Sequence, residues 1–130
     1  MPNGIYHYRP DVNALELIRE GEFYQDLSNI TSAEPWVNLE DASCAIFISG
    51  IFERLMLKYG ERGYRFLLQE VGAVSQNISL VAEAIGLACC QVGSFQDDPV
   101  NDFLGLSGIG ETACNFMVLG GKKEEEEADE

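Results

Sequence analysis

Lys58 and Tyr59 are adjacent, and a lysine beside a tyrosine can accept or give a proton once burial or a neighbouring cation lowers the lysine pKa. The plainer reading is a surface lysine next to a packing tyrosine. Arg54, Lys58, Arg62 and Arg65 hold half of the eight basic residues, at spacings of four, four and three. On one continuous helix they would share a face, either turned to an anion or solvated and neutralised by Glu53 and Glu61. Gly60 and Gly63 fall within that span and work against continuity. Cys89-Cys90-Gln91-Val92-Gly93-Ser94-Phe95 reads as a strand whose glycine would let a planar ligand approach the backbone. Gly120-Gly121-Lys122-Lys123 is a flexible basic segment that could close on a phosphate or cap a sheet.

Other chemistries lack their parts. Cys44, Cys89, Cys90 and Cys114 form no C-x-x-C pair and His7 is the only histidine, so a zinc site has neither its spacing nor its ligands. Reduced, buried thiols are the expectation. The formal net charge is −14, from 22 acidic and 8 basic residues, and a surface of that sign repels phosphate backbones. Nucleic acid is therefore not an expected partner. Nor is a membrane: the first residues lack a basic stretch followed by an apolar run, and no segment approaches spanning length. A cytoplasmic location is expected.

The elements that must position these groups follow from apolar spacing. At 130 residues, 46% of them apolar, the chain can build one modest core. Ile5–Tyr8 and Ala14–Ile18 flank a turn-forming segment and read as a hairpin. Residues 21–27 suggest a short helix, and Trp36 is expected to anchor the following loop in the core. Residues 43–49 are a continuous apolar run, as expected of a strand buried on both faces. Tyr64–Ile85 carries Leu67, Leu68, Val71, Val74, Ile78, Val81, Ala82 and Ile85 at spacings of three and four, the pattern of a long helix that Gly86 stops. Asp97-Asp98-Pro99 opens a short helix, and Ala113–Leu119 is a last strand. Strands at both ends with helices between them make an α+β domain. Residues 1–123 are read as that domain and 124–130, six of them acidic, as a disordered tail. The long helix has more apolar face than so short a chain can cover, which implies a partner chain.

These residues together resemble a family. Gly4-Ile5-Tyr6-His7-Tyr8, Leu15-Glu16-Leu17-Ile18-Arg19-Glu20-Gly21, Phe52-Glu53-Arg54 and Lys58-Tyr59-Gly60-Glu61-Arg62-Gly63-Tyr64-Arg65 look like the C-terminal part of the SagB-type dehydrogenases. So do Gln76-Asn77, Ala82-Glu83-Ala84-Ile85-Gly86-Leu87, Gln91-Val92-Gly93-Ser94-Phe95-Gln96-Asp97-Asp98, Asn101 and Leu104-Gly105-Leu106. Members are nitroreductase-like flavoproteins that oxidise azoline rings to azoles in peptide natural-product biosynthesis. The resemblance implies a mixed, mainly antiparallel sheet wrapped by helices, in an intertwined dimer with FMN at the interface and Tyr64–Ile85 as the central interface helix. It implies that Cys90, Gln91, Val92 and Gly93 run beside the flavin ring, with a backbone N–H near Val92 approaching its N5. It further implies that Lys122 and Lys123 reach the flavin phosphate, and that Lys58 and Tyr59 take part in the oxidation of a peptide or small-molecule substrate.

The family's arginine- and serine-rich phosphate-gripping segment has no counterpart from Gly4 onward. The expectation is a C-terminal half or subunit that needs a second copy, a complementary N-terminal nitroreductase half, or both. The alternative is a flavin-free, non-catalytic scaffold or regulatory partner derived from the same fold.

Overall fold

Phe116 and Met117 have no exposed surface, and they face opposite sides of the same strand. Their strand, β5 (Thr112–Gly121), is therefore buried on both faces. The computed structural model describes residues 1–122. Lys123 and the expected acidic tail lie outside the described residues.

In chain order the elements are β1 (Gly4–Arg9), β2 (Ala14–Glu20), α1 (Tyr24–Ile30), β3 (Cys44–Gly50), α2 (Phe52–Tyr59), α3 (Arg62–Ala84), β4 (Leu87–Val92), α4 (Asp97–Leu104) and β5. β5 lies between β3 and β4 and is antiparallel to both. Cys44 and Cys89 flank Leu119, and Ile46 and Gln91 flank Met117, so the two edge strands are in phase across the centre. On one face, Phe116 and Val118 pack with Val92 under Ala33, Leu39 and the apolar side of α1. On the other, Met117 and Leu119 pack with Ala82, Ile46 and Ile78 beneath α3. This is the expected α+β arrangement, with helix, sheet and a second layer of helix and loop.

Helix α3 meets the sheet along Leu67, Val71, Ser75 and Ala82, a ridge of spacing four, four and seven that is buried throughout. Small side chains at 75 and 82 let the axis lie close to the strands. Gly86, at φ 80°, ends the helix, and its N–H reaches the carbonyl of Glu83 at 3.1 Å. The adjoining apolar ridge is uncovered: Val81 is 59% and Ile85 66% exposed. With Val74 and Ile78 they line a groove of about 310 Å³.

Several expectations are corrected. The run at 43–49 is strand β3, but as an edge strand it is only half-buried, and Cys44 and Ser49 are exposed. Trp36 is 87% exposed, because Ala33 and Leu39 on either side of it supply the loop's anchors. The four thiols are free, but none is buried. The basic stripe does not form on one helix. Gly60, at φ 60° and ψ −148°, terminates α2, leaving Arg54 and Lys58 on α2 and Arg62 and Arg65 on α3. The strand expected over 89–95 stops at Val92, after which Phe95 makes an isolated bridge with Thr31.

Beyond the Gly60 turn, α2 and α3 touch where Gly63 is buried against the backbone of Leu55 and Met56. A Cβ on Gly63 would lie 2.7 Å from the Leu55 carbonyl carbon, whereas one on Gly72 would meet nothing within 4 Å. Gly63→Ala is expected to lower stability by about 1–3 kcal/mol, and Gly72→Ala to raise it by up to about 1 kcal/mol. Urea unfolding of the two variants checks the contrast.

Candidate functional site

Beyond Val92 the chain leaves the sheet and is tied down on its far side. Ser32 N–H donates to the Ser94 carbonyl at 3.0 Å, and Gln96 N–H to the Ile30 carbonyl at 2.9 Å. Gly93, between Val92 and the first of these fixed points, is exposed, and a Cβ there would meet nothing within 4 Å. The space beside it belongs to a cleft of about 370 Å³. Its walls are Phe52, from the start of α2, Tyr64 and Leu68 from α3, Gly93 and Phe95, Asp97 from the start of α4, and Thr112, Ala113 and Cys114 from the start of β5. Phe52 and Tyr64 stack at 5.1 Å between centroids, with their planes 22° apart.

Asn101 holds that corner together. It is buried, its Nδ2 donates to Thr112 Oγ1 at 2.9 Å, and its Oδ1 accepts the Ala113 N–H at 2.8 Å. Helix α4 presents it from a firm end, since Gly105 adopts the left-handed conformation and Leu106 N–H returns to the Asn101 carbonyl at 2.8 Å. Cys114 Sγ faces the Thr112 carbonyl at 3.4 Å, and burial pushes its thiol pKa above the ordinary value.

The expected site residues distribute unequally over this frame. Gly93 lines the cleft. Val92, buried, secures the strand leading to it; Cys90 is exposed on the same face as Val92, and Gln91 is on the α3 face. Lys58 Nζ sits 5.1 Å from the centroid of the Tyr59 ring, which meets Phe66 edge-on at 5.1 Å. This pair lies at the far end of α2, about 9 Å along the helix from Phe52, and does not line the cleft. Lys122 pairs with Glu83 at 2.6 Å, beside the last turn of α3. Along that helix Glu83 is about 25 Å from Phe66, so a single copy does not bring Lys58 and Lys122 together. Among the described residues, those lining the cleft include a carboxylate, Asp97, and no lysine or arginine.

The site also needs Phe52, Tyr64 and Asn101, which stand in the resembling segments without an assigned role, and Ser75 and Asn115, which no motif signalled and which form a polar row with the expected Gln91. The one available hint was a serine inside the apolar ridge of α3. Among the described residues no group of three or more His, Cys, Asp or Glu side chains gathers for a metal, and no helix is long and apolar enough to cross a membrane.

A long helix laid across an antiparallel sheet, with a cleft where the outer strand runs out, is the α+β arrangement of the nitroreductase-like fold. The chain belongs to the nitroreductase family, whose profile matches residues 11–122. It is 31% identical over 101 residues to MJ1384 of Methanocaldococcus jannaschii, a protein named for its likeness to nitroreductases, covering 78% of this chain and 50% of that one. It is 38% identical over 86 residues to the microcin B17-processing protein McbC of Escherichia coli, covering 64% of this chain and 30% of that protein. A chain in the structure of the E. coli microcin synthetase McbBCD complex with truncated pro-MccB17 bound superposes with a TM-score of 0.80 at 30% identity, covering 92% of this chain and 44% of that one. The chain thus spans half or less of the length of these relatives.

Two measurements test the corner that shapes the cleft. Asn101→Ala leaves the Ala113 N–H and Thr112 hydroxyl without their partner and is expected to cost about 1–3 kcal/mol in urea unfolding. With its pKa raised, the Cys114 thiol is mostly protonated at neutral pH. Its alkylation by iodoacetamide should keep accelerating at pH values where that of glutathione has levelled off, as mass spectrometry of the labelled peptide would show.

Proposed function

We propose that this chain is the ring-facing part of an FMN-dependent oxidoreductase of the SagB-dehydrogenase type, oxidising azolines on a peptide or related small molecule to azoles. The observation that carries the reading is the aromatic cleft at the end of Cys90–Gly93, in a chain of the nitroreductase family. The likeness to McbC and to a chain of McbBCD supports the azole-forming branch. The residues present suit a planar ring: Gly93 leaves its side open and Phe52 and Tyr64 stack beside it. They do not suit the phosphate, because among the described residues no cation lines the cleft and Lys122 is engaged by Glu83.

Bound FMN would supply the hydride acceptor. Gly93 would admit the ring and Val92 would fix the strand whose backbone N–H faces it, while Lys58 with Tyr59, which lie outside this chain's own cleft, would take the proton that leaves ring carbon in an assembly that brings them to the ring. We assign the phosphate grip to residues outside the described part of this chain, on a second copy or a complementary nitroreductase segment. In such an assembly Lys122 and Lys123 contribute only once Lys122 leaves Glu83, an exposed pair whose loss costs under about 1 kcal/mol. The uncovered ridge of α3 is the surface we assign to the partner, and the McbBCD complex is the precedent for working in an assembly. The missing cation favours one second reading, a flavin-free scaffold with the same partner surface.

Reconstitution separates the two. An assembly of this chain with a complementary nitroreductase segment should be yellow and should turn over azoline substrate. Lys58→Ala should lower that turnover by about 100-fold or more at unchanged flavin content. A colourless assembly overturns the flavoprotein reading in favour of the scaffold, and unchanged turnover removes Lys58 from the chemistry. For the partner surface, Val81→Glu should convert a sedimenting dimer to a monomer, and a wild-type chain that is already monomeric contradicts a homodimer.

A further inference from the structure

Three polar side chains cross the interface between α3 and the sheet, and their hydrogen bonds run in one direction. Ser75, with no exposed surface, donates its hydroxyl proton to the Val71 carbonyl one turn earlier, at 2.7 Å. Its oxygen accepts from Asn115 Nδ2 on β5 at 2.6 Å, and the same nitrogen donates to Gln91 Oε1 on β4 at 3.1 Å. Both Asn115 N–H groups are thereby used, one on each neighbour. With the Ser75 proton held on the Val71 carbonyl, the reverse orientation of the Asn115 amide would set its Oδ1 against two acceptors, Ser75 Oγ and Gln91 Oε1, and lose both bonds.

The consequence falls on Gln91. With Oε1 turned inward to Asn115, its Nε2 points away from the row, toward the unpaired side of β4. Gln91 is exposed and stands two residues before Gly93, which lines the cleft. We propose that Ser75 and Asn115 are positioning residues that lock Gln91 as a hydrogen-bond donor, so that the site selects planar ligands carrying a carbonyl or imine acceptor along the edge facing β4. This rests on the ring-facing role proposed for the strand, and it adds a polarity to that role. A heteroaromatic ring whose facing edge carries only donors is disfavoured, because two sets of N–H groups would meet.

The lock also predicts how it inverts. Asn115→Asp cannot donate to Gln91 Oε1 but accepts from its Nε2, so the Gln91 amide turns and presents its carbonyl outward.

The test uses the whole chain and lumiflavin, which has a ring with edge acceptors and no phosphate, followed by fluorescence quenching and by the side-chain amide signals in nitrogen-15 NMR. Gln91→Glu and Gln91→Met each remove the outward donor and are expected to weaken lumiflavin binding about fivefold to tenfold. In the wild type the Asn115 side-chain amide should exchange slowly with water and that of Gln91 quickly, the latter shifting when lumiflavin is added. In Asn115→Asp, Gln91 should gain protection and lumiflavin binding should fall as in Gln91→Glu. Unchanged affinity in both Gln91 variants, on an exposed residue whose replacement leaves the fold intact by circular dichroism, overturns this inference while leaving the ring-facing role standing. A wild-type chain that takes up no lumiflavin overturns that role and this inference with it.

Discussion

The elements that shape the cleft are placed by one strand that has no free side. β5 is paired on both edges and covered on both faces, and Phe116 and Met117 show how complete that burial is. A strand so enclosed must have its backbone groups satisfied by its neighbours, because water cannot reach them. That requirement fixes the register of β3 and β4 and draws α3 onto one face and the loop of Ala33 and Leu39 onto the other. The ends of β5 then mark the two ends of the three-stranded sheet. Its start, held by Asn101, forms the cleft, and its finish carries Lys122 to the last turn of α3.

The distribution of chemistry follows from this geometry. The open side of Gly93 and the stacked pair Phe52–Tyr64 sit at one end, the Lys122–Glu83 pair at the other, and α3 separates them along its length. Functional groups that far apart can serve one small cofactor only through chains packed against each other. The apolar ridge of α3 left uncovered by its own fold is the surface on which such packing would be favourable, since each buried methylene contributes about 0.8 kcal/mol. The cleft and the uncovered helix are thus two aspects of a domain whose residues suit part of a site.

Much of this was legible from residue spacing. The long helix announced itself by apolar positions three and four apart, and Gly86 marked its end, because a helix face and its stop signal are local properties. The resemblance carried by Lys58-Tyr59-Gly60-Glu61-Arg62-Gly63 and Gln91-Val92-Gly93 led to the right family. What failed was non-local. The apolar run at 43–49 does not say whether its strand is central or at an edge, and here the centre is β5, whose Asn115 interrupts the apolar pattern. Trp36 has the composition of an anchor, but its neighbours fill the core first. The basic residues from Arg54 to Arg65 fit one helical face only if Gly60 is ignored. The row Ser75–Asn115–Gln91 joins positions 40 and 24 residues apart, so only a folded chain reveals it.

The central claim is that a flavin ring lies against the strand end at Gly93. The cysteines report on it, since Cys114 lines the cleft at the start of β5 while Cys44 and Cys89 flank Leu119 near its finish. Alkylation of the assembled protein, read cysteine by cysteine with and without FMN, tests the placement most directly. The account predicts that FMN slows labelling of Cys114 and leaves Cys44 unchanged. Protection confined to Cys44, or no protection of Cys114 in a protein that has taken up FMN, would contradict it.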